Sequence, residues 1–357
     1  KIVAVSWGYL PDPCNARRWV GNVGDQMQIS FAEAKALAVD VLHSHGMPAD
    51  HAATVADHLV DAAGAGHAFA GLPRVMALVE HLKDHPAGNP ITVQDRGPSS
   101  AMIDGAGNNG YVTSIIGIDK AVELARATGV GVVGIKNTWF SGRLAYYVER
   151  AARQGFVAFH TASTQARVAP AGGIDRIFGT NPVAFAFPCD PDPLVIDFGT
   201  GMTTWGNVLL RRKLGQDLDP DAAVDRDGNP TLDPAAALEG AFLPWGGHRG
   251  YGLALVVQVL AMMAGGKMVA EEVTDSGFFF LVLDPALLGS AEAFKDNVTA
   301  LVQHIEASRP APGTDRVRVH GRGSLAKRAK AQASGMIEVD QAVFDTLVAL
   351  RGGPKGN

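Results

Sequence analysis

Cysteine is almost missing from this 357-residue sequence: Cys14 and Cys189 are the only two, and they stand far apart. That excludes a disulfide scaffold and a Cys-based zinc site, fits a reducing compartment, and leaves no metal expected. No run reaches the roughly 18 uninterrupted apolar residues that cross a bilayer. No Lys/Arg tract stands out and the net charge is −5, so no nucleic-acid groove is expected. The first residues lack the basic, apolar, small-residue order of a secretion signal, and the expectation is a cytoplasmic protein without a membrane partner. Also missing are a Gly-x-Gly-x-x-Gly fingerprint and a Walker A loop in the required context. Any nucleotide must therefore be held another way.

What remains is globular, with 47% hydrophobic and 19% charged residues and length enough for a large core. Residues 1–26, with Trp7, Pro11, Pro13 and Trp19, read as an N-terminal extension that packs on the surface or on a partner. A helical N-terminal region is expected over 27–95. There a helical run begins at Met27, and Ser30 and Glu33 form a capping box ahead of Phe31, Ala34, Leu37, Val41 and Leu42. A second helix should follow Pro48 and a third should span Pro73 to Leu82. Over 96–285 the pattern becomes α/β. Val130–Ile135, Val157–Phe159, Val183–Phe187, Leu194–Ile196 and Phe278–Leu283 read as strands, and Tyr251–Met263 reads as a helix. Residues 286–357 read as a C-terminal helical region that packs on the N-terminal helices.

Four stretches can carry chemistry. Gly107-Asn108-Asn109-Gly110 precedes a helix and is either an anion-receiving turn or a tight strand–helix connection. Gly179-Thr180-Asn181-Pro182 leads into a strand and can offer amides, a hydroxyl and a carboxamide to a polar ligand, or simply make the turn. Asp197 ends an apolar strand, where a carboxylate must be paired, tuned for proton transfer or used as a cap. Gly246-Gly247-His248-Arg249-Gly250 opens an apolar helix, so Arg249 and the helix start suit a phosphate or carboxylate; a solvent-facing basic loop is the alternative.

From about Ile29 onward these stretches, taken in order, resemble the malate/L-lactate dehydrogenase family. The resemblance rests on GLPR at 71–74, GNNGY, HTASTQARVAPAGG, FGTNPVAFAFP, VID at 195–197, DRDGNPTLDP and LPWGGHRGYGLAL. It implies an α/β fold with a non-Rossmann, sulfolactate-dehydrogenase-like sheet and helical flanking regions, and a homodimer. It also implies NADPH or NADH near the Gly179–Pro182 loop and the His160–Ser163 segment. His160, Thr161, Ser163, Gly179, Thr180, Asn181, Pro182 and Arg249 are therefore the expected cofactor-binding residues. Arg74 matches the family's carboxylate-binding arginine, and Asp197 the aspartate that orients the catalytic histidine.

Two departures from the family pattern matter most. Phe69 and Ala70 stand where the family carries Ser-His, and Phe140 replaces a second histidine in the Asn137-Thr138-Trp139-Phe140 segment. The His43-Ser44-His45-Gly46 stretch looks like the missing motif but falls at a helix end, out of place.

A hydroxyacid needs a base to lose its proton, whereas a basic cyclic imine arrives already protonated. The expectation is an NAD(P)H-dependent reductase of a small cyclic 2-imino carboxylate, Δ1-pyrroline-2-carboxylate or Δ1-piperideine-2-carboxylate. Trp139 and Phe140 would line its pocket or serve as core aromatics. Arg74, Asp197 and His67 are the expected catalytic residues. One alternative is a dehydrogenase of malate, lactate, ureidoglycolate or sulfolactate with His67 or His160 as the acid. The other is a catalytically silent nucleotide binder.

Overall fold

The computed structural model describes residues 26–353. The expected extension, with Trp7, Pro11, Pro13, Cys14 and Trp19, lies outside the described residues apart from Gln26. The chain enters as strand β1 (Gln26–Ser30) and turns into helix α1 (Phe31–Ser44). At that junction Glu33 N donates to Ser30 Oγ at 3.1 Å while the Glu33 carboxylate accepts from Ser30 N at 3.0 Å. Two orphan amides are thus satisfied reciprocally. Helices α2 (Ala49–Gly64) and α3 (Pro73–Leu82) follow, separated by a 3-10 turn over Ala68–Ala70. Leu37, Val41, Leu42, Val55, Leu59 and Leu78 close one apolar core between the three helices.

The central region runs through β2 (Thr92–Gly97), β3 (Ser100–Asp104), α4 (Gly110–Thr128), β4 (Val130–Thr138), α5 (Ala145–Ala152) and β5 (Val157–Ala162). It continues as β6 (Val183–Phe187), β7 (Leu194–Phe198), α6 (Trp205–Lys213), β8 (Ala223–Val224), α7 (Pro234–Glu239), β9 (Ala241–Phe242), α8 (His248–Met263) and β10 (Ser276–Leu283). The chain closes with α9 (Ala291–Glu306), α10 (Arg322–Ser334), β11 (Met336–Asp340) and α11 (Gln341–Leu350).

Seven strands form one mixed sheet in the order β2-β3-β4-β10-β5-β6-β7. Only β3 and β4 run parallel, joined by the α4 crossover; every other pairing is antiparallel. Strand β10 sits at the centre between β4 and β5, which explains why Phe278, Phe279 and Phe280 follow one another without polar alternation: both faces are covered. The sheet and its flanking helices are the α/β, non-Rossmann architecture that the resemblance implied.

Three strands depart from the sequence expectations. Residues 26–30 are strand rather than the start of the helix, and they pair with β11, inside a tail expected to be wholly helical. Ile29, Ile337 and Val339 face the helical core across this two-stranded ribbon. Such a pairing depends on a partner from the far end of the chain and leaves no local signal. Strand β2 is exposed along its length and carries no apolar alternation, so it is invisible to a periodicity reading; the division placed at residue 95 falls inside it. In the C-terminal region, α10 and β11 lie against α2 and α11 against α1 and α3, which ties the two ends of the chain together.

Candidate active site

Arg74 stands in the first turn of α3 behind Pro73, half-buried. Its Cζ lies 4.2 Å from the centroid of the Phe69 ring and 4.6 Å from that of Phe140. Each such cation–π contact contributes about 0.5–2 kcal/mol, more as water is excluded. The guanidinium Nε is buried without a hydrogen-bond partner, and among the described residues no carboxylate acts on it. Burial holds Arg74 below the usual arginine pKa, and Tyr111 acts the other way. An arginine keeps its charge regardless, so the result is a fixed cation walled by rings and lacking an anion.

Both rings are held by backbone. Phe69 belongs to the 3-10 turn, and its edge fills the space above Gly206 in α6, where an added Cβ would come within 2.1 Å of it. Phe140 follows β4 with φ 40°, a left-handed conformation unusual for a residue other than Gly, Asn or Asp. The loop carrying it is tied at several points. Asn137 Nδ2 donates to Asp104, Trp139 Nε1 to Gly107 O at 3.1 Å, and Tyr147 Oη to Ser141 O at 2.7 Å. The Arg143 amide donates to His58 Nε2 at 3.0 Å. The two aromatics of this loop divide: Phe140 is 37% exposed beside Arg74, whereas Trp139 is buried, its ring tilted against that of His81 at 3.7 Å, and is a core residue.

Asp197 reaches from the end of β7 to the start of α5, where its Oδ2 accepts from the Ala145 amide at 2.8 Å. Burial raises its pKa; the amides of Ala145 and Leu144 and the charges of Arg143 and His320 oppose that shift. The carboxylate thereby ties the end of β7 to the first turn of α5, next to the loop that carries Phe140.

The histidines expected to act as acids are engaged by other protein groups. The His67 Nε2 pairs with Ser324 Oγ of α10 at 3.0 Å. The residue keeps accessible surface, and desolvation of the ring together with the charges of Arg143 and Lys327 pushes its pKa down to about 4. At neutral pH it is therefore uncharged. His160 has no accessible surface; its ring stacks on Phe280 at 3.8 Å, Nδ1 pairs with Phe279 O, and burial pushes its pKa down to about 3.

Of the expected cofactor residues, His160, Thr161, Ser163 and Asn181 have no accessible surface within this chain. Ser163 Oγ accepts from the Gly277 amide at 2.9 Å. The Asn181 carboxamide donates to Ala254 O and Gln258 Oε1 of α8 and accepts from the Thr164 amide. That side chain fastens the Gly179–Pro182 turn onto the helix that Arg249 opens. Gly179 is a packing glycine, since a Cβ there would lie 2.1 Å from Thr164 Oγ1. Thr180, Pro182 and Arg249 keep accessible surface.

The Gly107–Gly110 stretch is the tight connection: Asn108 bonds the Gly88 amide and the Gly105 and Asn89 carbonyls, and Asn109 caps α4. Two surface grooves, of about 430 Å³ between α4 and α5 and about 590 Å³ between α1, α3 and α11, are lined without Arg74. Sequence reasoning missed Tyr111 and Gly206. Tyr111 looks like any aromatic in a first helical turn, and Gly206 acquires its role only through Phe69.

A family model described as malate/L-lactate dehydrogenase matches residues 29–348. The chain is 34% identical to L-sulfolactate dehydrogenase of Methanocaldococcus jannaschii over 328 residues, 88% of this chain and 93% of that one. It is 32% identical to ureidoglycolate dehydrogenase (NAD(+)) of Escherichia coli K12 over 336 residues, 90% and 95% of the two chains. Among solved structures, Δ1-piperideine-2-carboxylate reductase of Pseudomonas syringae pvar. tomato is similar with a TM-score of 0.83 and 26% identity, covering 91% of this chain and 99% of that one.

Proposed function

The chain belongs to the malate/L-lactate dehydrogenase family and is an oxidoreductase, and from that premise we propose that it reduces a small cyclic 2-imino carboxylate at C2. Δ1-pyrroline-2-carboxylate and Δ1-piperideine-2-carboxylate are the substrates in view, with NADPH or NADH as donor. The observation that carries this reading is the cluster at Arg74: a guanidinium with two phenyl rings against it and, among the described residues, no carboxylate or histidine paired with it. Arg74 would hold the substrate carboxylate, ideally through two parallel N–H···O bonds. Phe69 and Phe140 would cover the hydrocarbon ring and keep water from C2.

The proton then comes with the substrate. A cyclic imine that binds as its iminium already carries the hydrogen on nitrogen. Hydride addition to C2 turns the C=N π pair into the nitrogen lone pair, and no protein group has to donate. A 2-oxo acid would need a donor at the nascent alkoxide. His67, neutral above pH of about 4 and bonded to Ser324, and His160, sealed in the sheet, are poorly suited to that task.

The residues at the start of α8 fit a dinucleotide's phosphates. Gly246 and Gly247 have φ of 59° and 60° with no atom within 4 Å of an added Cβ, and the helix start has no side-chain cap. Arg249 is exposed beside them, and Trp245 Nε1 is buried without a partner. Open amides, a helix dipole and a guanidinium together suit a phosphate. The nicotinamide supplies the hydride when bound. Thr180 and Pro182 would complete the cofactor's surroundings, with Asn181 holding their turn to α8.

A homodimer and a cytoplasmic location belong to the same proposal. The exposed apolar row Leu255, Val256, Val259, Met262 and Met263 on α8 supports the first, and a monomeric mass by sedimentation would oppose it. Among the described residues no helix is long and apolar enough to cross a membrane.

Two substitutions test the chemistry. Arg74→Ala should lose imine turnover by at least about a hundredfold, mostly through KM, since a charge-assisted bidentate pair is removed. Phe140→His should raise pyruvate or oxaloacetate reduction by at least tenfold, because a positioned acid contributes about 10²–10⁴. Full imine turnover in Arg74→Ala would refute the carboxylate anchor.

A further inference from the structure

Tyr111 has no part in the reading above. It stands in the first turn of α4, its side chain has no accessible surface, and its Oη is buried without a hydrogen-bond partner. Arg74 Nε is orphaned in the same way. Both residues touch the same ring: Phe140 meets Tyr111 edge-on at 5.8 Å and lies 4.6 Å from the Arg74 guanidinium. The Arg74 charge also acts on Tyr111, opposing the upward shift of its pKa that burial causes.

Buried donors without acceptors are uncommon in folded proteins and call for a reason. Two of them around one phenyl ring share an obvious one, an acceptor that arrives from outside. The Phe140 side chain is the piece of this cluster that can yield: it is 37% exposed, while the loop beneath it stays pinned.

We propose that Tyr111 is a substrate-binding residue: its hydroxyl and the Nε of Arg74 donate to the carboxylate of a small 2-imino or 2-oxo acid, and Phe140 swings aside to admit that carboxylate. This inference rests on Arg74 as the carboxylate anchor and adds what the guanidinium lacks. A cation alone attracts any anion. A neutral donor at a fixed angle to it selects a planar carboxylate and sets its rotation about the C1–C2 bond, and hence the face of C2 left open. Burial raises the Tyr111 pKa, so the hydroxyl keeps its hydrogen and stays a donor at every working pH.

The test is calorimetric titration of oxalate, a planar carboxylate with the substrate's C1–C2 geometry, into the unaltered chain, Tyr111→Phe and Arg74→Ala, with a thermal melt of each. Tyr111→Phe keeps the ring and removes only the orphaned hydroxyl. It should melt at the same or a higher temperature and bind oxalate about tenfold more weakly or worse. Equal affinity in Tyr111→Phe, a lower melting temperature in it, or no oxalate binding by the unaltered chain at millimolar concentration would each overturn the proposal. The outcome is separable from that of the reductase reading. A chain that binds oxalate through Tyr111 but turns over no imine sinks the reductase and leaves Tyr111 in place. A chain that reduces imines with Tyr111→Phe unimpaired does the reverse.

Discussion

Arg74 is a charge matched by rings, while the neighbouring histidines are held neutral. Those two facts set the chemistry at the scale of single residues. His58 and His160 are buried, and burial lowers both pKa values, that of His160 to about 3. The unfolded chain would bind a proton at each near pH 6.5. Between that value and about 3 the unfolded state therefore holds a proton on residue 160 that the folded state does not. Stability must rise with pH in this window and fall as pH drops through it. The slope is at most about 1.4 kcal/mol per pH unit for each such group, so His160 alone costs about 2 kcal/mol at pH 5 relative to neutrality. Urea unfolding at pH 7.0, 6.0 and 5.0 should show falling midpoints, and His160→Asn should flatten the trend by about one proton. An unchanged slope in that variant would mean that His160 titrates normally.

Between elements, the site is made by contacts across long sequence separations. The ring of Phe69 rests where Gly206 has no side chain, and Phe140 hangs from a loop pinned by His58 of α2 and Asp197 of β7. Gly206→Ala should therefore displace Phe69 from Arg74, raising KM for the acid substrate by about three- to tenfold. Its cost in stability should be small, about 1 kcal/mol or less, because the 3-10 turn can shift. An unchanged KM would show that Phe69 is not a wall of the site.

The same separations decide what could be read in the sequence. Helices α1 to α3 were legible because caps, prolines and apolar spacing are local: Ser30 and Glu33 mark one start and Pro73 another. Strands β4 and β6 were legible for the same reason. Strands β1 and β11 were not, because each is stabilised by the other. Arg74, Phe69 and Phe140 were found through the family pattern. Their mutual contact, the orphaned Tyr111 hydroxyl and the enclosure of His160, Thr161, Ser163 and Asn181 depend on packing that no spacing rule reports. Asp197 was recognised as a buried carboxylate with work to do, but its partner, the Ala145 amide, lies on an unassigned helix.

For the molecule as a whole, the mixed seven-stranded sheet brings the arginine of the helical N-terminal region, the loop after β4 and the end of β7 to neighbouring positions. It also joins the Gly179–Pro182 turn to α8 through Asn181. In the proposed reading the family scaffold is kept while phenyl rings and alanine stand where hydroxyacid chemistry would need proton-carrying groups. A scaffold altered in this way should favour a substrate that carries its own proton. The most direct measurement is the rate of NADPH oxidation by the unaltered chain with Δ1-piperideine-2-carboxylate, beside pyruvate and oxaloacetate at equal concentration, repeated with NADH. The predicted result is turnover of the imine with kcat/KM at least about a hundredfold above either oxo acid, in line with the contribution of a missing acid. Equal or faster reduction of the oxo acids would contradict it and require a proton donor that Phe69, Ala70 and Phe140 do not supply.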